Sequence, residues 1–552
     1  MRDQRVRRNA GRRACVFLIG ALCLASAAPT LAQTPAGLSV AERDVLRRVK
    51  EKSIVQATKT LADDRFEGRG TLQPGGDKAA AWIADRMKRL ALAPGGDNGT
   101  YMHQVPLMAS EFVDPTHVTV DGTRLEYGTD WSTIGTLADL QLRAPVVFVG
   151  YGVVSKTFGR DDLKDADLTG KIVVTIGGRP ADVPEGKWNE ILADAKMVET
   201  LAARGIAGLI SIPNGREQYT RTFIINQTAR RQVSAPSTGD PGRLPLIFVS
   251  ESAGDRLFAG SGKTMAQAMD EAASPGFTPR TLTAKVDIAF TSARKTGTSP
   301  NVIGVLKGSD PTLAAEAVVF SAHYDAFGVL RKAIYNGAAD NAIGVAEMLA
   351  VAEAFAKAKA RPRRSLVFIA FTSEEYGMSG SRYYVEHPTW PLDKTAAVLN
   401  LDGIGTEIMG PMTSMVAYGA PFSSLGALFT DVARAYGVKP MDDPIPAQGV
   451  FGRSDHYNFV VWGVPGLMLV GSPVDSPEAF SKKFDEFEET KYHQPSDDVY
   501  KDWHWKGALK VADMMALIGH RVAQADAMPT FNAGTPYAGR TRGTTATAAP
   551  KP

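Results

Sequence analysis

The chain has almost no cysteine. Its two, Cys15 and Cys23, both lie near the start, so the remainder has neither a disulfide framework nor thiolate chemistry. Any metal held there must take its ligands from His, Asp and Glu. Histidine is scarce as well, at eight in 552 residues. A dominant charge is also missing, with 62 Lys and Arg against 59 Asp and Glu. The small basic excess sits in the opening segment, where Arg2, Arg5, Arg7, Arg8, Arg12 and Arg13 face only Asp3. The rest has 56 basic and 58 acidic residues, which argues against a nucleic-acid partner. The opening apolar run, ACVFLIGALCLASAA, is short for a membrane-crossing helix.

That run follows a basic head and ends in small residues before Gln33. The pattern predicts a secretory signal peptide over residues 1–32, cut after Ala32 and exported by the general or the twin-arginine route. The expected location is therefore periplasmic or secreted, with no membrane association once the signal is removed.

Hydrophobic residues make up 44% and charged residues 22%, as in a soluble globular protein, and the length implies more than one domain. From Ala144 the texture changes to short β-rich runs such as PVVFVGYGVV, KIVVTIGG, AGLISI and LPLIFVS. The reading is a domain in two parts, 33–129 and 281–527, with a β-rich domain inserted at 130–280 as a spacer or lid. LTAKVDIAFTS and NVIGVLKG read as edge or hairpin strands before the central stretch. Residues 528–552, rich in Thr, Ala, Gly and Pro, read as a disordered tail.

The chemistry concentrates between Ala317 and Asp402. Three apolar runs of strand length, AVVF (317–320), SLVFIAF (365–371) and AAVLNL (396–401), end at His323-Tyr324-Asp325, at Glu374-Glu375 and at Asp402. Between the first two lies GAADNAIGVAEMLAVAEAFAKA, a glycine-led turn and then a helix with Asp340 at its mouth. Buried strands alternating with helices predict an α/β fold with a mostly parallel sheet, whose ligands gather beyond the strand carboxyl ends. So many acids at one edge repel each other unless a cation neutralises them, so a metal site is the economical reading. Asp325 stands where its carboxylate can accept the second ring N–H of His323.

From Leu61 to Ala523 the residues resemble the secreted di-zinc exopeptidases, which include bacterial aminopeptidases and glutamate carboxypeptidase, with transferrin receptor as a non-catalytic relative. The resemblance rests on FEGRGTLQPGGDKAA, the HYD stretch at 323–325, NGAADNAIG, FTSEEYGMSGSRYY, NLDGIG, GRSDH and YHQPSDD. It implies a mixed, mostly parallel sheet flanked by helices, and it makes the insertion at 130–280 similar to a protease-associated domain. It also implies two Zn2+ ions. His323 and Asp402 would bind one, Glu375 and His493 the other, and Asp340 would bridge them.

Glu374 resembles the general base. Tyr492 is a candidate oxyanion donor or simply a packed aromatic, and His456 reads as structural. The substrates implied are peptides or proteins. An aminopeptidase leads, a carboxypeptidase or dipeptidase is the alternative, and a receptor-like relative without activity is a third reading. Carboxypeptidase action needs cations for a terminal carboxylate, and Arg331, Lys332 and Arg453 are the obvious ones nearby. Ala326, Phe327 and Ala339 depart from the common pattern, which bears on the pocket wall. The sequence leaves the oligomeric state open.

Overall fold

Three fully buried strands run side by side at the centre of the molecule: Ala317–His323, Ser365–Phe371 and Thr395–Asn400. Their continuous apolar composition suits strands covered on both faces, and they pair in parallel. A fourth, Gly466–Ser472, joins them in parallel. These coordinates are a computed structural model that describes residues 37–134, 139–217, 224–225, 228–236, 244–274, 276–330, 332–402, 412–472, 476–499 and 503–545. The expected signal peptide at 1–32 lies outside the described residues. Among the described residues, no helix is long and apolar enough to cross a membrane.

The four parallel strands belong to a ten-stranded mixed sheet with antiparallel flanks. On one side Ser292–Leu306 pairs with Ser365–Phe371 and with Met102–Phe112. Ser292–Leu306, which contains most of the NVIGVLKG run read as an edge or hairpin strand, therefore lies inside the sheet. Only its second half is buried. The first half, SARKTGT, is polar because it pairs with Met102–Phe112 in contact with solvent, and that polarity disguised the strand.

Helices cover both faces, as the fold class predicted. Glu51–Leu61, Pro74–Arg89, Ile343–Ala356 and Trp505–Gln524 share one core with the sheet. Ser379–Glu386 and His456–Val461 contribute to a core on the opposite face. Ile343–Ala356 is buried almost all round, which explains a sequence apolar on every side. Gly519 lies against Phe320, where a Cβ would overlap the ring, so the glycine lets the last helix seat closely on the sheet.

A second layer has its own core. It combines a six-stranded sheet with a four-stranded antiparallel one. In the larger, Val146–Phe148, Ile172–Ile176, Gly208–Ile212 and Leu246–Val249 are parallel. This layer is wider than 130–280, because His117–Val120 pairs with Val286–Phe290. The sequence boundary followed a change of texture, whereas the physical one follows strand pairing. Gln232–Ser234 leaves this layer and adds to the edge of the large sheet beside Met102–Phe112.

The C-terminal segment corrects another expectation. Residues 528–545 are not a disordered tail. Tyr537 is buried against Phe422 and Phe451, and Phe531 bridges to Ser423. The Arg542 guanidinium donates to the Thr395 carbonyl at 3.0 Å. A few aromatic and arginine side chains anchor a stretch whose overall composition reads as unstructured. Residues 546–552 lie outside the described residues.

Candidate metal centre

The strand ends bring the predicted side chains together in two buried groups. His323, Asp340 and Asp402 form one, and Asp340, Glu375 and His493 form the other. His323 Nε2 lies 3.1 Å from Asp340 Oδ1 and 3.5 Å from Asp402 Oδ1. His493 Nε2 lies 3.1 Å from Asp340 Oδ2 and 3.0 Å from Glu375 Oε2. Asp340 thus offers one oxygen to each group.

Local backbone geometry puts them there. Gly337 has φ 51°, and a Cβ at this position would collide with the Asp340 carbonyl, so the turn into the helix requires glycine. Ser373 (φ 58°) and His493 (φ 57°) hold left-handed conformations. Such strain costs about 1–3 kcal/mol per residue and persists where the surroundings over-determine it.

Electrostatics follow from burial and crowding. Burial works to lower the His323 pKa, but Asp402, Asp340 and Glu374 outweigh it and hold the imidazolium well above its ordinary range. Burial raises Asp340, yet the adjoining imidazoles of His323 and His493 bring its carboxyl below the ordinary range. His493 is lowered to about 4, chiefly by burial. Burial pushes Glu374 and Glu375 well up, and neighbouring carboxylates add to this. Carboxylates buried this close together can all carry charge only beside a cation. His323 Nε2 and Asp402 Oδ1 are buried with no hydrogen-bond partner among the described residues. Nitrogen and oxygen donors with such orphaned atoms fit zinc.

Glu374 stands outside both groups and lines the cavity above them with Tyr492 and Arg453. Burial holds the Tyr492 phenol well above its ordinary pKa, so it keeps its proton. The Arg453 Nη2 group donates to the Tyr492 hydroxyl at 3.4 Å.

Asp325 differs from its expected role. The His323 Nδ1 faces the Asp325 backbone carbonyl at 3.1 Å, and the carboxylate lies 3.8 Å away. The Asp325 carboxylate instead accepts the Glu374 N–H at 3.0 Å and the Thr71 hydroxyl at 3.1 Å. It anchors the loop that carries Glu374, because the chain turns after His323 and the strand alternation no longer applies.

Sequence reasoning missed several supports. The fully buried Arg69 donates to the carbonyls of Tyr324, Leu61, Asn336 and Gly337 at 2.6–2.8 Å, tying the His323 loop to the Asp340 loop. The Ser454 hydroxyl donates to Asp402 Oδ2 at 2.6 Å and accepts from Asn400. His456 is buried outside both groups and packs on Phe451. Of the three cations expected near a carboxylate, Arg453 lines the cavity and Lys332 is exposed away from it. Arg331 lies outside the described residues. Motif spacing signals none of the supports, since each acts through atoms remote in sequence.

The cavity over this centre measures about 870 Å³, and residues of the second layer, among them Trp188, Leu192 and Arg230, form its other wall. The Arg230 guanidinium lies 4.1 Å from the Phe327 ring centroid and donates to the Glu375 carbonyl at 2.8 Å.

Residues 301–518 match the family model described as peptidase family M28. The structure resembles the aminopeptidase from Aneurinibacillus sp. strain AM-1, with 19% sequence identity and a TM-score of 0.57 over 88% of this chain and 97% of that one. It also resembles a zinc aminopeptidase from Bacillus subtilis, with 18% identity and a TM-score of 0.51 over 85% of this chain and 94% of that one. At these identities the likeness establishes the fold. A vacuolar membrane protease of Clavispora lusitaniae is 26% identical over 206 residues, 37% of this chain. The chain spans only 18% of that relative's length.

That relative's name contradicts the periplasmic or secreted location expected from the sequence, and the expectation is withdrawn. A basic head before an apolar run is shared by leaders that are removed and by segments that stay in a membrane, so composition alone does not fix the destination. Residues 301–518 thus carry a match to peptidase family M28, within a fold that resembles those of zinc aminopeptidases.

Proposed function

We propose that the protein is an aminopeptidase that removes N-terminal residues from peptides at a centre of two zinc ions. The observation that carries this reading is the sharing of Asp340 between two buried donor groups. In this reading His323 and Asp402 would hold one ion and Glu375 and His493 the other, with Asp340 available to both. Two adjacent zinc ions, when bound, acidify water and polarise the scissile carbonyl.

The remaining work falls to the chain's own residues. Glu374 takes a proton from the attacking water and returns it to the nitrogen of the leaving amine as the C–N bond breaks. The protonated Tyr492 hydroxyl donates to the oxygen that gains charge in the tetrahedral stage. Asp325 keeps the Glu374 loop in place through the Glu374 N–H. The carboxylates around the centre also favour a terminal ammonium through charge-assisted hydrogen bonds. The second layer, read as a protease-associated insertion, walls the cavity from the other side.

Metal analysis of the purified protein tests the count. Two zinc ions per chain are expected, and Asp340→Ala is expected to lose most of both. Full metal retention in that variant removes Asp340 from the bridge.

A further inference from the structure

Two sheets contribute their carboxyl edges to one cavity. One edge follows Ser365–Phe371 and Thr395–Asn400 and carries Glu374, Glu375 and Asp402. The other follows the parallel strands Ile172–Ile176 and Gly208–Ile212 of the second layer. Arg179 comes just after the first of these strands and Arg216 just after the second, and both line the cavity. One edge is acidic, and the opposing loops present two guanidinium groups and one carboxylate, Glu217, which accepts the Asn214 N–H at 2.5 Å.

The two arginines keep their charge available. Arg179 Nη1 donates to the Val183 carbonyl at 2.9 Å, which leaves its other nitrogens for a further acceptor. Among the described residues, neither arginine pairs with a carboxylate. Between the edges lies an apolar wall that includes Trp188 and Leu192 of the helix Glu185–Ala195. At about 870 Å³ the space is that of a pocket for a small ligand, and each extended residue takes about 3.5 Å of length.

We infer that the substrate is a short free peptide bound end to end, its ammonium at the carboxylate edge and its terminal carboxylate on Arg179 and Arg216. The inference rests on the aminopeptidase reading above and adds the second anchor. Guanidinium groups suit a carboxylate because their parallel N–H bonds match its two oxygens. The apolar wall covers the side chains between the two ends.

The test compares Leu-Gly-Gly, its C-terminal amide and leucine 4-nitroanilide with the full zinc-loaded protein. Amidation removes only the carboxylate charge. It is expected to lower kcat/KM about ten-fold, through KM, because the lost contact serves binding in the ground state and the transition state alike. In Arg179→Met/Arg216→Met the acid-to-amide ratio should fall to near one, while Arg179→Lys/Arg216→Lys should keep part of it. The ratio is taken within one preparation, so partial misfolding does not move it. Equal cleavage of acid and amide by the unaltered protein overturns the inference, as does full discrimination in the methionine variant. Either result with leucine 4-nitroanilide still cleaved leaves the aminopeptidase reading standing. Failure to cleave any substrate with a free amino end overturns both.

Discussion

The Asp497 carboxylate accepts the backbone N–H of Asp340 at 3.0 Å through Oδ2, and the N–H of Ala339 at 2.8 Å through Oδ1. One buried side chain thus fixes the loop whose own carboxylate both donor groups share. Asp497→Asn turns one acceptor into a donor facing an N–H. It should weaken metal binding or activity about ten- to a hundred-fold, the usual cost of losing such support. Zinc retention against a graded chelator checks this, and an unchanged retention curve together with unchanged turnover counts against it.

Glu374 and Glu375 are neighbours assigned to different tasks. Glu374→Gln should keep the metal content and lower turnover about a hundred- to ten-thousand-fold, the worth of a positioned acid–base group. Metal analysis beside steady-state kinetics separates the two effects. Loss of metal with little change in the rate per bound metal would reverse the assignment within the pair.

Asp513 gives a pH dependence far from the centre. It lies on the helix Trp505–Gln524 and accepts the Tyr436 hydroxyl at 2.6 Å. Burial pushes its carboxyl from 3.8 up to about 7. Across that interval the folded chain holds a proton that the unfolded chain releases, so this group's contribution falls as pH rises through it and stays lost above. Asp513→Asn removes the titration. Relative to the parent, the variant should gain stability between pH 5 and pH 8 in urea unfolding. A difference independent of pH would contradict the assignment.

The sheet was legible where strands are buried on both faces. Ala317–His323, Ser365–Phe371 and Thr395–Asn400 announce themselves as unbroken apolar runs, and the acids and imidazole at their ends mark the site. Ser292–Leu306 was misplaced because half of it faces solvent. Arg69, Asp497, Arg179 and Arg216 were not legible as parts of a site. Arg69 and Asp497 act through backbone groups remote in sequence, and the two cavity arginines follow strands of a layer that looked like a spacer. Asp325 misled through proximity, since two positions in sequence do not place a carboxylate on a ring nitrogen once the strand has ended. Tyr537 shows the same limit, because one buried aromatic outweighs a segment's composition.

The central claim is that the centre acts on a peptide whose α-amino group is free. The most direct measurement follows the products released by the zinc-loaded protein from a peptide and from its N-acetylated form. The account predicts loss of the N-terminal residue from the free peptide and no cleavage of the acetylated one. Release of a C-terminal residue from the acetylated peptide would contradict it.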